Sequence, residues 1–498
     1  WAFFDYPDFD ANFQVADGKI SYSTTGYYPD PGSGGEWFYS NTDVANSEWA
    51  AKVGVGTSYT MEFSARVTGG SGAVPGLHTT VCNGDGQAWL TVAPDHVAIG
   101  NGSQETRVLQ GNVDNSTDFH DYRIAFDGAS ETYRVWRDGI LIGKNLESPT
   151  TYSKSGVAFG DATSTGYGDA EIDYFRWDPS NDYEPIALTP VPLAEKGSDE
   201  FGYQYEADTD LPNVEDSGTS KTNWLQFDYP GFDANFQVAD GKLSYSTTGY
   251  YPDPGSGGEW FYSDSTVDDS AWDAEVYAGN SFTAEFSAKV TGGEGLVPGL
   301  HTIFENGIEG VWLTVDTDHV AIGDGHDEDL IILDGVDNFS DFHTYRLAFD
   351  AVSRKFQVWR DGDHIGVDLD APFETLLRRL AFGDATSQGF GDAEIDYFRW
   401  DSTGAYAPVS LVPGDFNGDD RVDVADLGIL ATYYGGTGGL EQGDANGDGN
   451  IDVADLGILA TNYGYGTAAA SVPEPSVLVG LLSLVLAGCC ARRRHSRE

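Results

Sequence analysis

The sequence predicts a mainly β protein: two duplicated antiparallel β-sandwich domains of the jelly-roll type, a small α-helical domain and a hydrophobic C-terminal helix. The first observation is a duplication, because residues 5–40 recur at 228–263 with two changes. The second is a period of two inside each copy, where runs such as AWLTV and HVAIG alternate apolar with other residues. Asp, Gly, Pro and Ser separate these runs, and many short strands in about 200 residues are typical of a sandwich or jelly roll.

The repeat sets the domain boundaries. Its offset of 223 residues continues without a gap as far as GDAEIDYFRWD, which begins at residue 168 and again at 391. A Pro-rich segment joins the copies, and an acidic segment and an apolar tail follow them. We expect a first module at 1–179, a linker at 180–197, a second module at 198–402, a small domain at 412–466 and a tail at 467–498.

The first copy is shorter than the second. Trp1 aligns with Trp224, so this sequence contains no counterpart of residues 198–223. In that segment we expect YQYEAD to form a strand beside the closing strand GDAEIDYFRWD. Because residue 1 is Trp and no secretory signal precedes it, we interpret the chain as a fragment or a processed product.

The charge of the chain excludes one class of partner. There are 80 acidic and 26 basic residues, giving a net charge of -54, whereas nucleic-acid binding needs a basic footprint. This acidity favours solubility, cation binding and an extracellular or salty setting. Only one of the three cysteines, Cys82, lies outside the apolar tail, so we expect no disulfide framework.

One segment of each module carries a family resemblance. DFHDYRIAFDGASETYRVWRDGILIG at 118–143 and DFHTYRLAFDAVSRKFQVWRDGDHIG at 341–366 each contain Phe-His, a strand, a turn and a strand ending in Val-x-x-Asp-Gly. They resemble the laminin-G-like, concanavalin A-like jelly roll. The resemblance implies the fold and leaves the function open, because this fold occurs in lectins, hydrolases and adhesive modules.

Two nearly identical stretches near the C-terminus have the spacing of an EF-hand calcium loop. GDFNGDDRVDVADLGILATYYG begins at Gly414 and GDANGDGNIDVADLGILATNYG at Gly443, each with oxygen-bearing side chains at loop positions 1, 3, 5, 9 and 12. We expect them to bind two calcium ions. The predicted ligands are Asp415, Asn417, Asp419, Asp423 and Asp426 with the carbonyl of Arg421, and Asp444, Asn446, Asp448, Asp452 and Asp455 with the carbonyl of Asn450.

An amphipathic helix follows each loop, and no helix precedes the first. This loop-helix duplication resembles a type I dockerin. The resemblance implies docking onto a cohesin through loop positions 10 and 11, which are Val424-Ala425 and Val453-Ala454 rather than the usual hydroxyl pair. A cohesin-like partner and self-association through the apolar helix faces are therefore both expected alternatives.

The C-terminal tail has three parts: a Pro-Glu-Pro motif, an apolar run from 477 to 491 and an arginine cluster. Together they resemble a PEP-CTERM sorting signal. The resemblance implies export in a Gram-negative, exopolysaccharide-producing bacterium, transient anchoring in the inner membrane and removal of the tail by an exosortase; a plain C-terminal anchor is the alternative. The signal residues are Pro473, Glu474, Pro475, Arg492, Arg493 and Arg494.

Strand alternation gives a set of candidate carbohydrate-binding residues. In AWLTV the residues Ala88, Leu90 and Val92 face a core, so the residues between them point away from it. Aromatic rings beside hydrogen-bonding groups suit sugar stacking, although tryptophans packed under loops would give the same pattern. The candidates are Trp89, His96, Arg123 and Trp136 in the first module and Trp312, His319, Arg346 and Trp359 in the second.

We assign no catalytic residue. EIDYFRW resembles the Glu-x-Asp-x-x-Glu strand of laminarinase-type glycoside hydrolases, but arginine replaces its last carboxylate in both copies and cannot exchange a proton at neutral pH. The hypothesis is an exported, non-catalytic, polysaccharide-binding protein with a calcium-dependent docking module. The alternative is a polysaccharide-degrading enzyme, a hydrolase or lyase, whose catalytic site is unrecognised or missing. The residues compared with the catalytic strand are Glu171, Asp173 and Arg176, and Glu394, Asp396 and Arg399.

Overall fold

A computed structural model confirms the predicted class: antiparallel β-sheets dominate, and a small helical region follows them. The chain divides into two compact units, Trp1–Pro408 and Val409–Glu498. The structure describes residues 1–4, 13–24, 35–163, 165–208, 210–212, 224–227, 236–247, 258–386, 388–409, 413–417, 421–446 and 449–465.

The first unit contains both predicted sandwich modules, and each has two antiparallel sheets. The strands of module 1 are β1 (Ala2–Phe4), β2 (Gln14–Ala16), β3 (Lys19–Ser23), β4 (Trp37–Asn41), β5 (Tyr59–Gly72), β6 (Leu77–Asn83), β7 (Gly86–Val92), β8 (His96–Gly100), β9 (Glu105–Gly111), β10 (His120–Asp127), β11 (Thr132–Arg137), β12 (Ile140–Leu146), β13 (Thr150–Thr151), β14 (Ser155–Gly160) and β15 (Gly166–Asp178), with helix α1 at Glu48–Lys52.

Module 2 repeats these elements and adds one strand, β17. Its elements are a 3₁₀ turn (Ser198–Glu200), β17 (Tyr203–Glu206), β18 (Leu225–Phe227), β19 (Gln237–Ala239), β20 (Lys242–Ser246), β21 (Glu259–Asp264), α2 (Ala271–Glu275), β22 (Phe282–Gly295), β23 (Leu300–Asn306), β24 (Glu309–Val315), β25 (His319–Gly323), β26 (Glu328–Asp334), β27 (His343–Asp350), β28 (Lys355–Arg360), β29 (Asp363–Leu369), β30 (Phe373–Glu374), β31 (Arg378–Asp384) and β32 (Gly389–Asp401). Two short strands lie outside the modules, β16 (Ala194–Glu195) and β33 (Tyr406–Ala407).

The strand order is the same in both modules. The front sheet has the order β1-β4-β14-β6-β7-β8-β9 in module 1 and β18-β21-β31-β23-β24-β25-β26 in module 2. The back sheet has the order β12-β11-β10-β5-β15-β3-β2 and, correspondingly, β29-β28-β27-β22-β32-β20-β19. A hairpin turn at Asp17 and Gly18 joins β2 to β3, with φ angles of 52° and 79° at these two residues.

The alternating apolar residues meet between the two sheets and form one core per module. In module 1 the core includes Trp49, Phe63 and Leu90, all at most 1% exposed. The indole N–H of Trp49 donates to the carbonyl of Cys82 at 3.1 Å, so the buried polar group of this ring is satisfied. Burial raises the pKa of the Cys82 thiol to about 12, which fits the inert thiol of a core residue.

The segment between the modules is fixed against them. The backbone N–H of Tyr183 donates to the Thr60 hydroxyl at 2.6 Å, and Arg134 pairs with Asp182 at 2.6 Å. Further along, β16 pairs in parallel with β33, and Arg346 of module 2 donates to the carbonyl of Lys196 at 2.8 Å. The predicted linker therefore packs on both sandwiches instead of acting as a free spacer.

The modules also contact each other directly. The Asn112 side chain donates to the carbonyl of Ala274 at 2.9 Å, and Arg107 donates to the carbonyl of Gly307 at 2.8 Å. Lys144 of module 1 forms an ion pair with a glutamate of module 2. These contacts make Trp1–Pro408 one compact unit.

Strand β17 confirms the strand predicted in YQYEAD. It pairs with the closing strand β32, the Tyr203 ring stacks on Trp400 at 3.9 Å, and Tyr205 is 1% exposed. Module 1 has no equivalent strand in this sequence, and a pocket of about 400 Å³ opens beside its closing strand. Accordingly Trp1 is 57% exposed, whereas its counterpart Trp224 is 5% exposed.

The second unit consists of two capped helices, α3 (Val424–Tyr433) and α4 (Val453–Asn462), and a 3₁₀ turn at Leu440–Gln442. Loop position 8 is buried in both halves, with Val422 and Ile451 each 0% exposed. Their backbones hydrogen-bond to the chain after the opposite helix, Val422 to Gly464 and Tyr465, and Ile451 to residues 435–436, so each half closes on the other.

No helix among the described residues is long and apolar enough to cross a membrane. The predicted hydrophobic helix and the sorting residues Pro473, Glu474, Pro475, Arg492, Arg493 and Arg494 lie outside the described residues.

Fusing a second copy of residues 198–223 ahead of Trp1 should stabilise the first unit. The added tyrosine would fill the pocket beside β15, and burying such a ring contributes about 2 kcal/mol to the free energy of unfolding. Urea denaturation of the fused and original chains would measure the difference. The control is a fusion in which the copied Tyr203 and Tyr205 are replaced by serine. Equal stability of all three chains would contradict the interpretation that the pocket beside β15 accommodates a strand equivalent to β17.

Candidate functional site

The first predicted calcium loop is organised around its last carboxylate. Asp426, which is 0% exposed, accepts hydrogen bonds from the backbone N–H groups of Phe416 at 2.8 Å, Asn417 at 3.3 Å and Asp423 at 2.8 Å. The loop backbone thus wraps around one buried carboxylate.

The second loop repeats this geometry. Asp455, also 0% exposed, accepts from the N–H groups of Ala445 at 2.8 Å, Asn446 at 3.3 Å and Asp452 at 2.7 Å. Gly449 occupies position 6 with a φ of 79°, the left-handed conformation that the sharp turn of this loop requires.

The position-9 aspartates connect each loop to its helix. Asp423 and Asp452 are the N-caps of α3 and α4, and each accepts from the N–H two residues further on at 2.7 Å. Each cap forms a reciprocal capping box with the position-12 aspartate. Ordering the loop around a cation therefore also fixes the start of the helix.

The loop residues fit a hard cation. Asp415 and Asp444 are 5% and 4% exposed, so the described loops hold buried oxygen-bearing side chains. No Lys or Arg in the described part of the chain pairs with the position-12 aspartates. An all-oxygen donor set of this kind is what Ca²⁺ prefers. The predicted ligands Asp419 and Asp448 lie outside the described residues, while Arg421 and Asn450 are exposed at position 7.

The helices leave apolar side chains on the surface. Leu427, Leu430 and Tyr434 recur at helical spacing, but only Leu430 is buried, at 2% exposure, while the other two are 37% and 51% exposed. Val424 and Val453, at loop position 10, are 70% and 69% exposed. We call the exposed residues Val424, Leu427, Tyr434, Val453 and Tyr463 the apolar ridge.

In the first unit, Trp89 lines a groove on the front sheet of module 1. The groove has a volume of about 400 Å³, and the rings of Phe4 and Trp37 stack along it at 4.1 Å. Rings and hydrogen-bonding groups thus occur side by side, as stacking of a sugar requires. The lining residues include Phe4, Trp37, Tyr39, Thr80, Gln87, Trp89, Tyr152 and Lys154.

The same face of module 2 is built differently. Phe227 and Trp260 keep the stacked ring pair at 4.1 Å, and Trp312 corresponds to Trp89. However, Arg379 pairs there with Asp264 at 3.3 Å and with Glu305 at 3.8 Å, where module 1 has uncharged residues. The two fronts therefore share aromatic rings but differ in polarity.

The remaining aromatic candidates do not join Trp89 and Trp312. Trp136 and Trp359 lie on the back sheets and are only 5% and 6% exposed. The Arg134 guanidinium lies 5.3 Å from the Trp136 ring, and the His364 ring stacks on Trp359 at 4.6 Å. The predicted residues therefore form no single face, although both tryptophan pairs point away from the core as the alternation indicated.

The arginine candidates belong to buried ion pairs on the back sheets. Arg123 Nε donates to Glu62 at 2.6 Å, and Arg346 Nε donates to Glu285 at 2.7 Å. Arg176 also pairs with Glu62, which is 8% exposed. Sequence reasoning missed both glutamates, which occupy matching positions in MEFSARV and AEFSAKV; a charged residue inside an apolar strand was the available signal.

The carboxylates of the strand compared with laminarinase-type hydrolases are held by basic side chains. Glu171 pairs with Arg66 at 2.9 Å and Glu394 with Lys289 at 3.1 Å, while Asp396 lies 3.5 Å from Lys242. The closing strands β15 and β32 therefore contribute carboxylates to the ion pairs of the back sheets.

The histidine candidates are clamped between carboxylates at the front-sheet edge. His319 Nε2 lies 3.0 Å from Glu328, and its Nδ1 lies 2.8 Å from Asp318 and 3.8 Å from Asp316. His96 has the same arrangement with Asp95 and Glu105. The hydrogen bond to Glu328, and then that to Asp318, raises the pKa of His319 from 6.5 to about 9.

This raised pKa predicts a pH-dependent contribution to stability. Because the folded-state pKa of His319 exceeds its unfolded value, its contribution is complete below about pH 6.5 and is lost as the pH rises through about 9. Urea denaturation from pH 6 to 10 should therefore show that His319→Asn destabilises the chain most at pH 6 and progressively less towards pH 10. The exposed His326→Asn is the control, and a pH-independent effect of His319→Asn would contradict the clamp.

Comparisons with known proteins place one part of the chain in a family. The chain is similar to alginate lyase AlgAT5 from Polysaccharide Lyase family 7 (12% identity over 35% of this chain and 84% of that chain, TM-score 0.24) and to the Emp46p carbohydrate recognition domain in its potassium-bound form (14%, 40% and 97%, TM-score 0.24). It is also similar to the Ruminococcus gnavus IT-sialidase CBM40 bound to alpha2,3 sialyllactose (17%, 30% and 90%, TM-score 0.22). No curated protein is significantly similar in sequence. Residues 413–462 match the family model of the dockerin type I domain, and the second unit thus carries a dockerin type I domain.

Proposed function

We propose that this chain is an exported, non-catalytic protein that binds polysaccharide through its sandwich modules and is held in place by its calcium-dependent dockerin domain. The observation that carries the binding role is the aromatic groove around Trp89 in module 1. Its stacked rings offer flat apolar surfaces, and the neighbouring amide, hydroxyl and amino groups offer hydrogen-bonding partners for sugar hydroxyls.

The groove favours a neutral polysaccharide. The chain carries a net charge of -54, so an anionic glycan would be repelled unless a cation bridged it. We assign the main contact to Trp89 and a weaker one to Trp312, because Arg379 and its two carboxylates occupy the corresponding face of module 2. We assign no direct sugar contact to the other candidates, which contribute ion pairs and packing to the sandwiches. They are His96, Arg123, Trp136, His319, Arg346 and Trp359.

The apolar ridge of the dockerin domain is the proposed docking surface. Val424 and Val453 lie at loop position 10 of the two halves and are more than two-thirds exposed, at 70% and 69%. Exposed apolar side chains beside two calcium loops suit a partner with an apolar face. That partner is a cohesin-like domain or, alternatively, a second copy of the ridge. Two calcium ions, one per loop, order the surface.

We further propose that residues 467–498 are a sorting signal, with Pro473-Glu474-Pro475 as recognition motif and the arginines 492–494 on the cytoplasmic side. The protein would be anchored briefly in the inner membrane of a Gram-negative bacterium and then released to the envelope or exterior by an exosortase-type enzyme. The support is the order of the three parts in the sequence.

Substituting the groove tryptophan should abolish most polysaccharide binding. Trp89→Ala removes a stacking ring, which costs about 2 kcal/mol of binding free energy, whereas Trp312→Ala should cost less. Affinity electrophoresis in gels containing neutral polysaccharides would measure both, with circular dichroism checking the fold. Unchanged binding by Trp89→Ala would move the ligand elsewhere, and release of reducing ends or unsaturated sugars would support the enzyme alternative.

Calcium should induce helix in residues 409–466. Without a cation the loop carboxylates repel one another, so chelation should reduce the far-ultraviolet helix signal and calcium should restore it. Asp426→Asn and Asp455→Asn should each remove one of two bound ions in isothermal titration. A helix signal that does not respond to calcium would refute the assignment.

A further inference from the structure

The turn that joins β24 to β25 in module 2 brings together three side chains of the kinds that bind metals. A carboxylate oxygen of Asp316, one of Asp318 and a ring nitrogen of His319 all lie within 4.8 Å of one another. The Nδ1 atom of His319 lies 2.8 Å from Asp318 and 3.8 Å from Asp316. We call these three residues the turn triad.

Asp316 is a buried carboxylate whose hydrogen bonding is incomplete. The residue is 8% exposed, and its Oδ1 atom has no hydrogen-bond partner. Burial raises the pKa of Asp316, although the backbone N–H of Thr317 and the charge of His319 act in the opposite direction. A buried carboxylate of this kind is unfavourable unless positive charge compensates it.

The protein supplies little positive charge at this turn. Among the residues that the structure describes, His319 is the basic partner of both Asp316 and Asp318, and its Nε2 atom already lies 3.0 Å from Glu328. One imidazolium therefore faces three carboxylates. A bound divalent cation would remove this imbalance.

The backbone of the triad is held in place by a buried asparagine. The Asn338 amide donates to the carbonyl of Asp316 at 2.7 Å and to that of His319 at 3.1 Å, and Asn338 is 0% exposed. Gly293 leaves space for the aspartate, because a Cβ atom there would lie 2.3 Å from Asp316 Oδ1. Ligands that are fixed in this way are preorganised for an ion.

Module 1 has the same scaffold without the buried aspartate. The Asn115 amide donates to the carbonyls of Ala93 and His96 at 2.7 and 3.1 Å. His96 lies between Asp95 and Glu105, as its counterpart does in module 2. Ala93, however, stands where module 2 has the third member of the triad. The duplication therefore provides an internal control, with three ligands in one copy and two in the other.

We propose that the turn triad binds one divalent transition-metal ion, zinc being the best fit, through Asp316, Asp318 and the Nδ1 atom of His319. An imidazole nitrogen with two carboxylates suits zinc, whereas calcium prefers oxygen ligands alone. Zinc replaces the proton on Nδ1, while the Nε2–H group keeps its hydrogen bond to Glu328. A carboxylate behind a metal-bound histidine fixes the tautomer and the orientation of the ring.

The test measures zinc binding to the full chain by isothermal titration in excess calcium, which keeps the dockerin loops filled. The parent chain should bind one zinc ion at the triad. Asp316→Ala, which gives module 2 the arrangement of module 1, should abolish this binding, and Glu328→Gln should weaken it about 10- to 100-fold. Asp327→Asn, which changes an exposed carboxylate in the following turn, is the matched control and should leave zinc binding unchanged.

The reverse substitution gives a second, independent variant. Ala93→Asp completes the triad of module 1 and should add a second zinc ion, with circular dichroism checking the fold. Cobalt(II) gives a spectroscopic measurement, since its visible absorption bands should appear in the parent and disappear in Asp316→Ala.

Three results would overturn the proposal. The first is a parent chain that binds no zinc or that binds calcium at the triad instead. The second is zinc binding by Asp316→Ala that is as tight as in the parent, which would assign the ion to exposed carboxylates. The third is a folded Ala93→Asp chain that gains no zinc, which would contradict the role assigned to the buried aspartate.

Discussion

Each sandwich depends on the antiparallel pairing of two long strands, β5 with β15 and β22 with β32. In module 2 this ladder runs from the Thr283–Asp401 pair to the Gly295–Gly389 pair, and its register determines where every charged group of the back sheet lies. Near one end of β32, Asp392 accepts a hydrogen bond from the backbone N–H of Thr247, and near the other end Trp400 stacks on Tyr203 of β17. A single strand thus connects the two ends of the module.

The duplication preserves this ladder while the surfaces diverge. The strand order and register are the same in both copies, yet Asp264, Glu305 and Arg379 form ion pairs on one front sheet where the other has an aromatic groove. The core between the sheets is constrained by packing on two sides, whereas the outer face of the front sheet accommodates a nearly buried group of charges, with Asp264 6% and Glu305 5% exposed. Two copies of one scaffold can therefore present two different surfaces, and the contacts between them hold these surfaces in one compact unit.

The sequence predicted the structure correctly where the residues that determine a feature lie close together in the chain. The alternation of apolar with other residues identified the strands. The spacing of oxygen-bearing side chains identified the predicted calcium loops, because all their ligands fall within twelve positions. The same alternation showed correctly that Trp89 and Trp136 point away from the core. It could not show that they lie on opposite sheets, because the pattern within one strand does not indicate which sheet that strand joins. Arg123 and Glu62 are 61 residues apart in the sequence and meet only because of the strand order, so no short motif predicts their ion pair.

The charge of the chain limits how its buried carboxylates can be neutralised. With 80 acidic and 26 basic residues, protein side chains cannot neutralise every carboxylate, and on the back sheets arginines are already committed to Glu62 and Glu285. A carboxylate that is exposed tolerates this shortage because water screens it, whereas a buried one does not. The shortage matters most at buried aspartates such as Asp426 and Asp455, whose loops supply backbone N–H donors in place of basic side chains.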